Sequence, residues 1–297
     1  MENISETRGY SFQYEVSNEE SESTTDIFFL HGWCSVRYFW KNFLEEFHAY
    51  GRCVNFDFLG HYTARVPEYF YKYPISQESI FEIQKEAIAK VARSKKVTLV
   101  GHSAGGFVVL GIAALFPDFV EKVVAICPPA YGPVQGLGLL YPAKLANEFK
   151  LDFFNFTTLE LIKRFPHLIE LWFTRGSAYP EEFLKTPGLR EFLLEYHKHF
   201  SQLDVKVMNQ YLKILDKCNL LPLFRNYHVP TLLFSGEKDI VVPKSHCERL
   251  ASKSSAIQHV NFLRSAHLPM FEEKELFLQE CQAFLSHSWQ RSSLTGA

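Results

Sequence analysis

The stretch KKVTLVGHSAGGFVVLGIAALFP, residues 95 to 117, decides the fold. Residues 97 to 100 form a short β-branched and apolar run, which is typical of a strand buried on both faces. A second apolar run, residues 107 to 116, ends before Pro117, as a helix does. The five residues Gly101 to Gly105 separate the two runs, and only small residues permit so sharp a bend. The stretch predicts a strand, a tight turn and a helix.

Ser103 is the residue in this turn that can react. The pattern G-x-S-x-G comprises Gly101, His102, Ser103, Ala104 and Gly105, and it forms a nucleophile elbow when it joins a strand to a helix. The turn raises the serine hydroxyl above the sheet edge, and the helix directs its N-terminal amides to the same point. The alternative is a glycine-rich connection without chemistry.

A serine hydroxyl at neutral pH needs a base, and the base needs an acid that orients it. The segment VPTLLFSGEKDIVVP holds a strand run followed by Asp239, and QHVNFLRSAHLPMFEE holds another strand run followed by His267. Each residue follows the carboxyl end of a predicted strand, where open α/β sheets bind their ligands. The chain order Ser103, Asp239, His267 therefore predicts a catalytic triad.

With these motifs the chain resembles the α/β-hydrolase fold family, in its serine-hydrolase branch, over nearly its whole length. The segment FFLHGW is similar to the oxyanion strand of that family and ends in His31, Gly32 and Trp33. The segment VNFDFLGHYTA is similar to the family pattern D-x-x-G-H-G-x-S, with departures at Tyr62 and Ala64.

This resemblance implies that two backbone amides form the oxyanion hole. One belongs to Ala104, after the nucleophile, and the other to Trp33, after the His-Gly pair. The ring of Trp33 can serve as a pocket wall at the same time. For His31 and His102 we expect structural roles beside the turn, since neither occupies a triad position.

Alternating strand and helix patterns predict an α/β fold, with a mainly parallel central sheet and helices on both faces. The expected strands and helices of the first half are strands Asp26–Leu30, Arg52–Phe58 and Lys122–Ile126 and helices near Tyr38–Tyr50 and Gln77–Arg93. The segment YSFQYEVS alternates like an exposed edge strand.

Strand patterns disappear between residues 128 and 225, where helical spacing replaces them. Many α/β-hydrolases carry a helical cap at this point. We therefore expect a core domain of residues 1–127 and 226–297 and a helical cap, or lid, of residues 128–225. Most cap aromatics are expected to be core and the rest to line an acyl pocket: Phe149, Phe153, Phe154, Phe156, Phe165, Trp172 and Phe173.

Composition excludes several other classes of function. A formal charge of −2 argues against nucleic acid as the main partner. Six cysteines are scattered without a C-x-x-C motif, which favours reduced thiols in a cytoplasmic protein over disulfides or zinc. No secretory signal, membrane span, metal or cofactor is expected. The sequence leaves the oligomeric state open.

These features together predict a serine hydrolase that cleaves a small-molecule carboxylic ester or thioester through an acyl-enzyme on Ser103, with an apolar acyl or alcohol group. An acyltransferase or a carbon–carbon bond hydrolase uses the same triad. Dehalogenases and epoxide hydrolases of this fold carry aspartate at the elbow, which Ser103 argues against. A non-catalytic small-molecule receptor is the remaining alternative, because fold alone does not fix function.

Overall fold

The computed structural model describes residues 3–21, 23–73, 75–133 and 148–286, with side chains in the last range described from residue 156. In this part of the chain an eight-stranded sheet forms the centre of the molecule, in the order β1-β2-β4-β3-β5-β6-β7-β8. The strands are β1 (Asn3–Thr7), β2 (Tyr10–Ser17), β3 (Asp26–Leu30), β4 (Arg52–Phe56), β5 (Val97–His102), β6 (Val120–Ile126), β7 (Thr231–Gly236) and β8 (Ile257–Phe262).

The sheet is parallel from β4 to β8, while β2 runs antiparallel to both β1 and β4. The strands β3, β4, β5 and β7 are buried at every position, which matches their continuous apolar runs. Strand order reverses between β3 and β5, because β4 lies on one side of β3 and β5 on the other. The carboxyl ends of β3 and β5 therefore meet at the switch point where ligands bind in open α/β sheets.

Helices surround this sheet and also fill the interval between β6 and β7. The α-helices are α1 (Tyr69–Lys72), α2 (Gln77–Ala89), α3 (Ala104–Leu115), α4 (Glu148–Arg164), α5 (His167–Arg175), α6 (Pro180–Phe183), α7 (Leu189–Phe200), α8 (Val205–Lys217), α9 (Ser245–Ala251), α10 (Pro269–Glu272) and α11 (Lys274–Ser286). Among the described helices, none has the length and apolar character that crossing a membrane requires.

Several details of the first half differ from the sequence prediction, among them the end of β4, which lies at Phe56 and not at Phe58. The helix expected near Tyr38–Tyr50 is instead two 3-10 helices, Arg37–Trp40 and Leu44–Tyr50. The strand Tyr10–Ser17 is not at the edge, because β1 covers it. The sequence did not reveal β1, since its residues NISET lack an apolar run. Helix α2 ends at Ala89 rather than Arg93.

The helices α4 to α8, which we call the inserted helices, occupy the region where strand patterns vanish. Their aromatics differ from the prediction in part: Phe173 is buried, but Phe156 and Phe165 are exposed by 42% and 41%. The side chains of Phe149, Phe153 and Phe154 and the loop 134–147 lie outside the described residues. The division into a core of 1–127 and 226–297 and a cap of 128–225 stays a prediction.

A buried ion pair fixes the turns that follow β3 and β4. The Nε of Arg37 donates to Oδ1 of Asp57 at 2.7 Å, and both side chains are almost fully buried. The other carboxylate oxygen of Asp57 accepts hydrogen bonds from Thr63 Oγ1 at 3.0 Å and the amide of Gln13 at 3.3 Å. Such a pair is costly to break, because Arg37 stays almost fully buried and keeps the half-exposed Glu15, 3.3 Å from its Nη1, as a weaker carboxylate partner.

Asp57→Asn is expected to lower the free energy of unfolding by about 3–5 kcal/mol, because Arg37 keeps its buried charge. Urea titration followed by fluorescence measures this loss. The matched control is Glu68→Gln, which removes an exposed pair with Lys72 and is expected to leave the midpoint unchanged. A loss below about 1 kcal/mol for Asp57→Asn would show that the pair contributes little to the free energy of unfolding.

Candidate active site

Ser103 lies at a strained turn between β5 and α3. Its backbone has φ 52° and ψ −119°, a region that residues with a Cβ rarely adopt. The neighbouring glycines permit the turn: a Cβ on Gly101 would lie 2.5 Å from the carbonyl oxygen of Gly105. A Cβ on Gly105 would collide with the carbonyl oxygen of His31. The G-x-S-x-G pattern therefore has the strand–turn–helix context of a nucleophile elbow.

The turn after β3 lies directly against Ser103. A Cβ on Gly32 would be 3.1 Å from Ser103 Cβ and 3.3 Å from Nδ1 of His102. Ala104 is the first residue of α3, so its amide belongs to the N-terminal group that lacks partners within the helix. Of the two residues expected to form the oxyanion hole, Ala104 follows Ser103 directly and Trp33 follows Gly32, which packs against Ser103; their role stays a prediction.

Asp239 and His267 meet after β7 and β8. The Nδ1 of His267 lies 2.7 Å from Oδ2 of Asp239. The other oxygen, Oδ1, accepts hydrogen bonds from the amides of Val241 and Val242, both at 2.8 Å. The Asp239 carboxylate is fully buried. The two amides fix its orientation through Oδ1, and Oδ2 remains to accept a hydrogen bond from the imidazole of His267. This fixes the ring of His267 and leaves Nε2 on its other side.

Ser103 and His267 line one cavity of about 120 Å³. Its walls are mainly aromatic and aliphatic, and they come from the loops after β3, β5, β7 and β8 and from the inserted helices. The residues that line the cavity include Trp33, Ser35, Phe39, Trp172, Phe173, Arg175, Gly176, Tyr196 and Leu268. Of the cap aromatics named from the sequence, Trp172 and Phe173 reach this cavity.

His31 and His102 support the turns rather than holding a carboxylate. The buried ring of His31 contacts the Gly32 carbonyl oxygen through Nδ1 at 3.0 Å. The Nε2 of His102 donates to the carbonyl oxygen of His267 at 2.8 Å. Burial lowers the pKa of both imidazoles well below the usual value, so both stay neutral. His102 thereby joins the turn at Ser103 to the backbone of His267.

Cys127 is a neighbour of the triad that the sequence did not assign a role. It follows β6, and its Sγ and the ligand atoms of Asp239 and His267 all lie within 4.8 Å of one another. These three are the group in the described chain whose spacing could hold a metal ion. Burial raises the pKa of the Cys127 thiol well above its usual value, which keeps it protonated beside the carboxylate.

A model of the α/β-hydrolase fold matches residues 27–274. The chain therefore belongs to the α/β-hydrolase fold family, as its motifs indicated.

Curated relatives fall into two groups by name. Epoxide hydrolase 4 of Mus musculus is 27% identical over 161 residues, which cover 54% of this chain and 42% of that protein. The chain thus spans less than half the length of this relative. Pimeloyl-[acyl-carrier protein] methyl ester esterase of Hamiltonella defensa is 25% identical over 272 residues, which cover 90% of this chain and 96% of that protein.

Solved structures share the fold over nearly the whole chain. The enol-lactonase from Burkholderia xenovorans LB400 superposes with a TM-score of 0.75 at 16% identity, covering 96% of this chain and 100% of that one. A thermophilic esterase from Thermogutta terrifontis gives a TM-score of 0.72 at 18% identity, covering 96% of this chain and 98% of that one. At these identities the likeness shows the fold alone.

Asp239→Asn is expected to lower the turnover number for an ester by about ten-thousand-fold, because His267 loses the tautomer that accepts a proton at Nε2. Steady-state kinetics on a chromogenic ester measures the change. Glu237→Gln is the matched control: Glu237 lies on the same loop but pairs with Lys244 at the surface. A loss of less than about tenfold for Asp239→Asn would point to another acid.

Proposed function

We propose that this protein is a serine hydrolase that cleaves a carboxylic ester or thioester through an acyl-enzyme on Ser103. The observation that carries the proposal is the placement of a strained elbow serine and a carboxylate-bound histidine in one apolar cavity. Each catalytic group in this mechanism comes from a loop at the carboxyl edge of the sheet.

The proposed reaction has two stages. In the first, Ser103 Oγ attacks the carbonyl carbon while Nε2 of His267 takes its proton and then gives it to the leaving alcohol or thiol. Asp239 stabilises the imidazolium that forms. In the second, His267 takes a proton from the water that attacks the acyl-enzyme, and gives it to Ser103 Oγ as the bond from Oγ to the acyl carbon breaks and the acid leaves. The amides of Trp33 and Ala104 stabilise the oxyanion in both stages.

The residue at the elbow favours this chemistry over epoxide opening. Family members that open epoxides attack with an elbow aspartate, whereas position 103 here is serine. The name of the Hamiltonella relative, which matches 90% of this chain, points to ester cleavage. The acyltransferase, carbon–carbon hydrolase and receptor alternatives use the same site, and repeated turnover of a simple ester in water separates hydrolysis from receptor binding.

The walls of the cavity support an apolar group as the preferred substrate part. Phe39, Trp172, Phe173 and Leu268 present carbon surface beside Ser103. The hydroxyl of Tyr196 donates to Ser35 Oγ at 2.9 Å, so these two polar groups partly satisfy each other. Along the side formed by Phe39 and Leu268 a charged acyl group would lose its hydration without gaining a matched partner, whereas Arg175 offers a cation elsewhere on the lining.

Ser103→Ala is expected to lower ester turnover by up to roughly a million-fold, because no other group replaces the nucleophile. A fluorophosphonate probe followed by peptide mass spectrometry tests the site of acylation directly. The parent is expected to carry the label on Ser103, and Ser35→Ala is expected to be labelled as well. Labelling of Ser103→Ala at the parental rate would refute the assignment.

Esters with an acyl chain of moderate length are expected to react faster than acetyl esters. Each buried methylene contributes up to about 0.8 kcal/mol, so four extra carbons raise kcat/KM about a hundredfold where the cavity holds them. A series of p-nitrophenyl esters from acetyl to octanoyl measures the trend. A maximum at acetyl with a steady fall towards octanoyl would mean that the cavity closes around a small acyl group.

A further inference from the structure

Two neighbouring glutamates at the end of α10 hold the loop that carries the triad histidine. We call residues 264–267 the histidine loop. Glu272 Oε2 accepts a hydrogen bond from the amide of Ala266 at 2.8 Å. Glu273 Oε2 accepts from the amide of Arg264 at 3.1 Å and from Ser265 Oγ at 2.6 Å. Both carboxylates therefore restrain the backbone next to His267.

Only Glu272 of these two also reaches the chain after α5, in a segment of residues 176–179 that we call the docking segment. Its second oxygen, Oε1, accepts from Ser177 Oγ at 2.9 Å and from the amide of Ala178 at 2.5 Å. Beside this link, the amide of His267 donates to the carbonyl oxygen of Gly176 at 2.8 Å. One side chain thus joins the inserted helices to the histidine loop.

The docking segment also contacts the loop that carries the triad acid. Lys238, which precedes Asp239, donates from Nζ to the hydroxyl of Tyr179 at 2.5 Å. Its ammonium group lies 3.9 Å from the centre of the Tyr179 ring. The segment therefore touches both loops on which the histidine–aspartate pair depends.

The same segment continues the wall of the cavity. Trp172, Phe173, Arg175 and Gly176 all face the cavity from α5 and its end. Gly176 fits closely there, since a Cβ on it would lie 3.3 Å from Cδ1 of Leu268. A shift of the docking segment would consequently change the shape of the cavity and the support of His267 together.

We infer that Glu272 is a positioning residue that sets substrate selectivity, by fixing the docking segment and the histidine loop to one another. This role rests on the proposed esterase function, and it adds a residue outside the cavity to the groups that determine which acyl chain is accepted. Glu273, which holds the histidine loop alone, provides the natural comparison.

Glu272→Gln breaks the link without removing bulk. A carboxylate accepts at both oxygens, whereas an amide accepts at one end and donates at the other. The partners at the two ends include the amides of Ala178 and Ala266, which can only donate. Either orientation of the glutamine therefore sets an N–H against an N–H, and one side of the link is lost.

The test compares Glu272→Gln, Glu273→Gln and Ser177→Ala with the parent in two measurements. The first is hydrogen–deuterium exchange of peptides covering the two segments. Glu272→Gln is expected to speed exchange about tenfold in the docking segment, and Ser177→Ala is expected to do so less strongly. Glu273→Gln is expected to leave exchange in the docking segment at the parental rate, because Glu273 makes no bond to that segment and its amide oxygen can still accept both bonds that Oε2 accepts.

The second measurement is kcat and KM for p-nitrophenyl acetate and hexanoate. Glu272→Gln is expected to change the ratio of the two kcat/KM values by about fivefold or more, with Ser177→Ala changing it in the same direction. Glu273→Gln is expected to keep the ratio of the two kcat/KM values, because its amide oxygen can take the place of Oε2.

The inference is overturned if exchange in the docking segment matches the parent in Glu272→Gln, or if Glu273→Gln changes the ester ratio as much as Glu272→Gln does. Should Glu272→Gln fail to fold, Ser177→Ala decides, because the bonds it removes, to Glu272 Oε1 and from the amide of Tyr179, both lie on the docking side. A parent that turns over no ester would refute the proposed function, and the exchange pattern would still decide whether Glu272 fixes the two segments.

Discussion

The close approach of backbone to backbone at residues 101–105 is the constraint on which the rest of the site depends. Gly101 and Gly105 leave no room for a Cβ, and Ser103, which is half-buried, has a strained backbone. Because β5 is buried and paired on both sides, the sheet holds this turn in place. The turn after β3 then packs against Ser103, and the loops after β7 and β8 bring the acid and the histidine to the same edge. A rigid sheet thus supplies the precision that catalytic geometry requires.

The electrostatics of this edge divide its histidines into two kinds. His31, His61 and His102 are buried, and burial lowers the pKa of each, to about 3 for His61. They remain neutral and hydrogen-bond to backbone groups. His267 differs because a buried carboxylate faces its Nδ1. Burial therefore disfavours a positive charge on the rings of His31, His61 and His102, whereas the ring of His267 has a carboxylate as its hydrogen-bond partner.

Much of the fold could be predicted from sequence, because strands that are buried on both faces have continuous apolar sequences. The bounds of β3 agree with the prediction, and β5 and β7 extend it by two residues at the carboxyl end. The missing pieces carry weaker signals: β1 is polar, and the segment 38–50 has helical composition but folds into 3-10 turns. The predicted triad rests on order and spacing, and the structure brings two of its members, Asp239 and His267, within hydrogen-bond distance. The link through Glu272 could not be foreseen, since its partners include backbone amides, which every residue type supplies.

The inserted helices lie between β6 and β7 in the chain, and this position affects how the protein can change during evolution. Strands β6 and β7 are adjacent and paired in parallel, with Val123 opposite Thr231, although about a hundred residues separate them in the chain. The entropy of closing a loop rises only with the logarithm of its length, by roughly 0.6 kcal/mol for each doubling. Lengthening or shortening the segment between these two strands therefore changes the free energy of folding of the sheet very little. Selection can remodel the walls around the nucleophile almost independently of the scaffold, provided that the few polar links back to the sheet are kept.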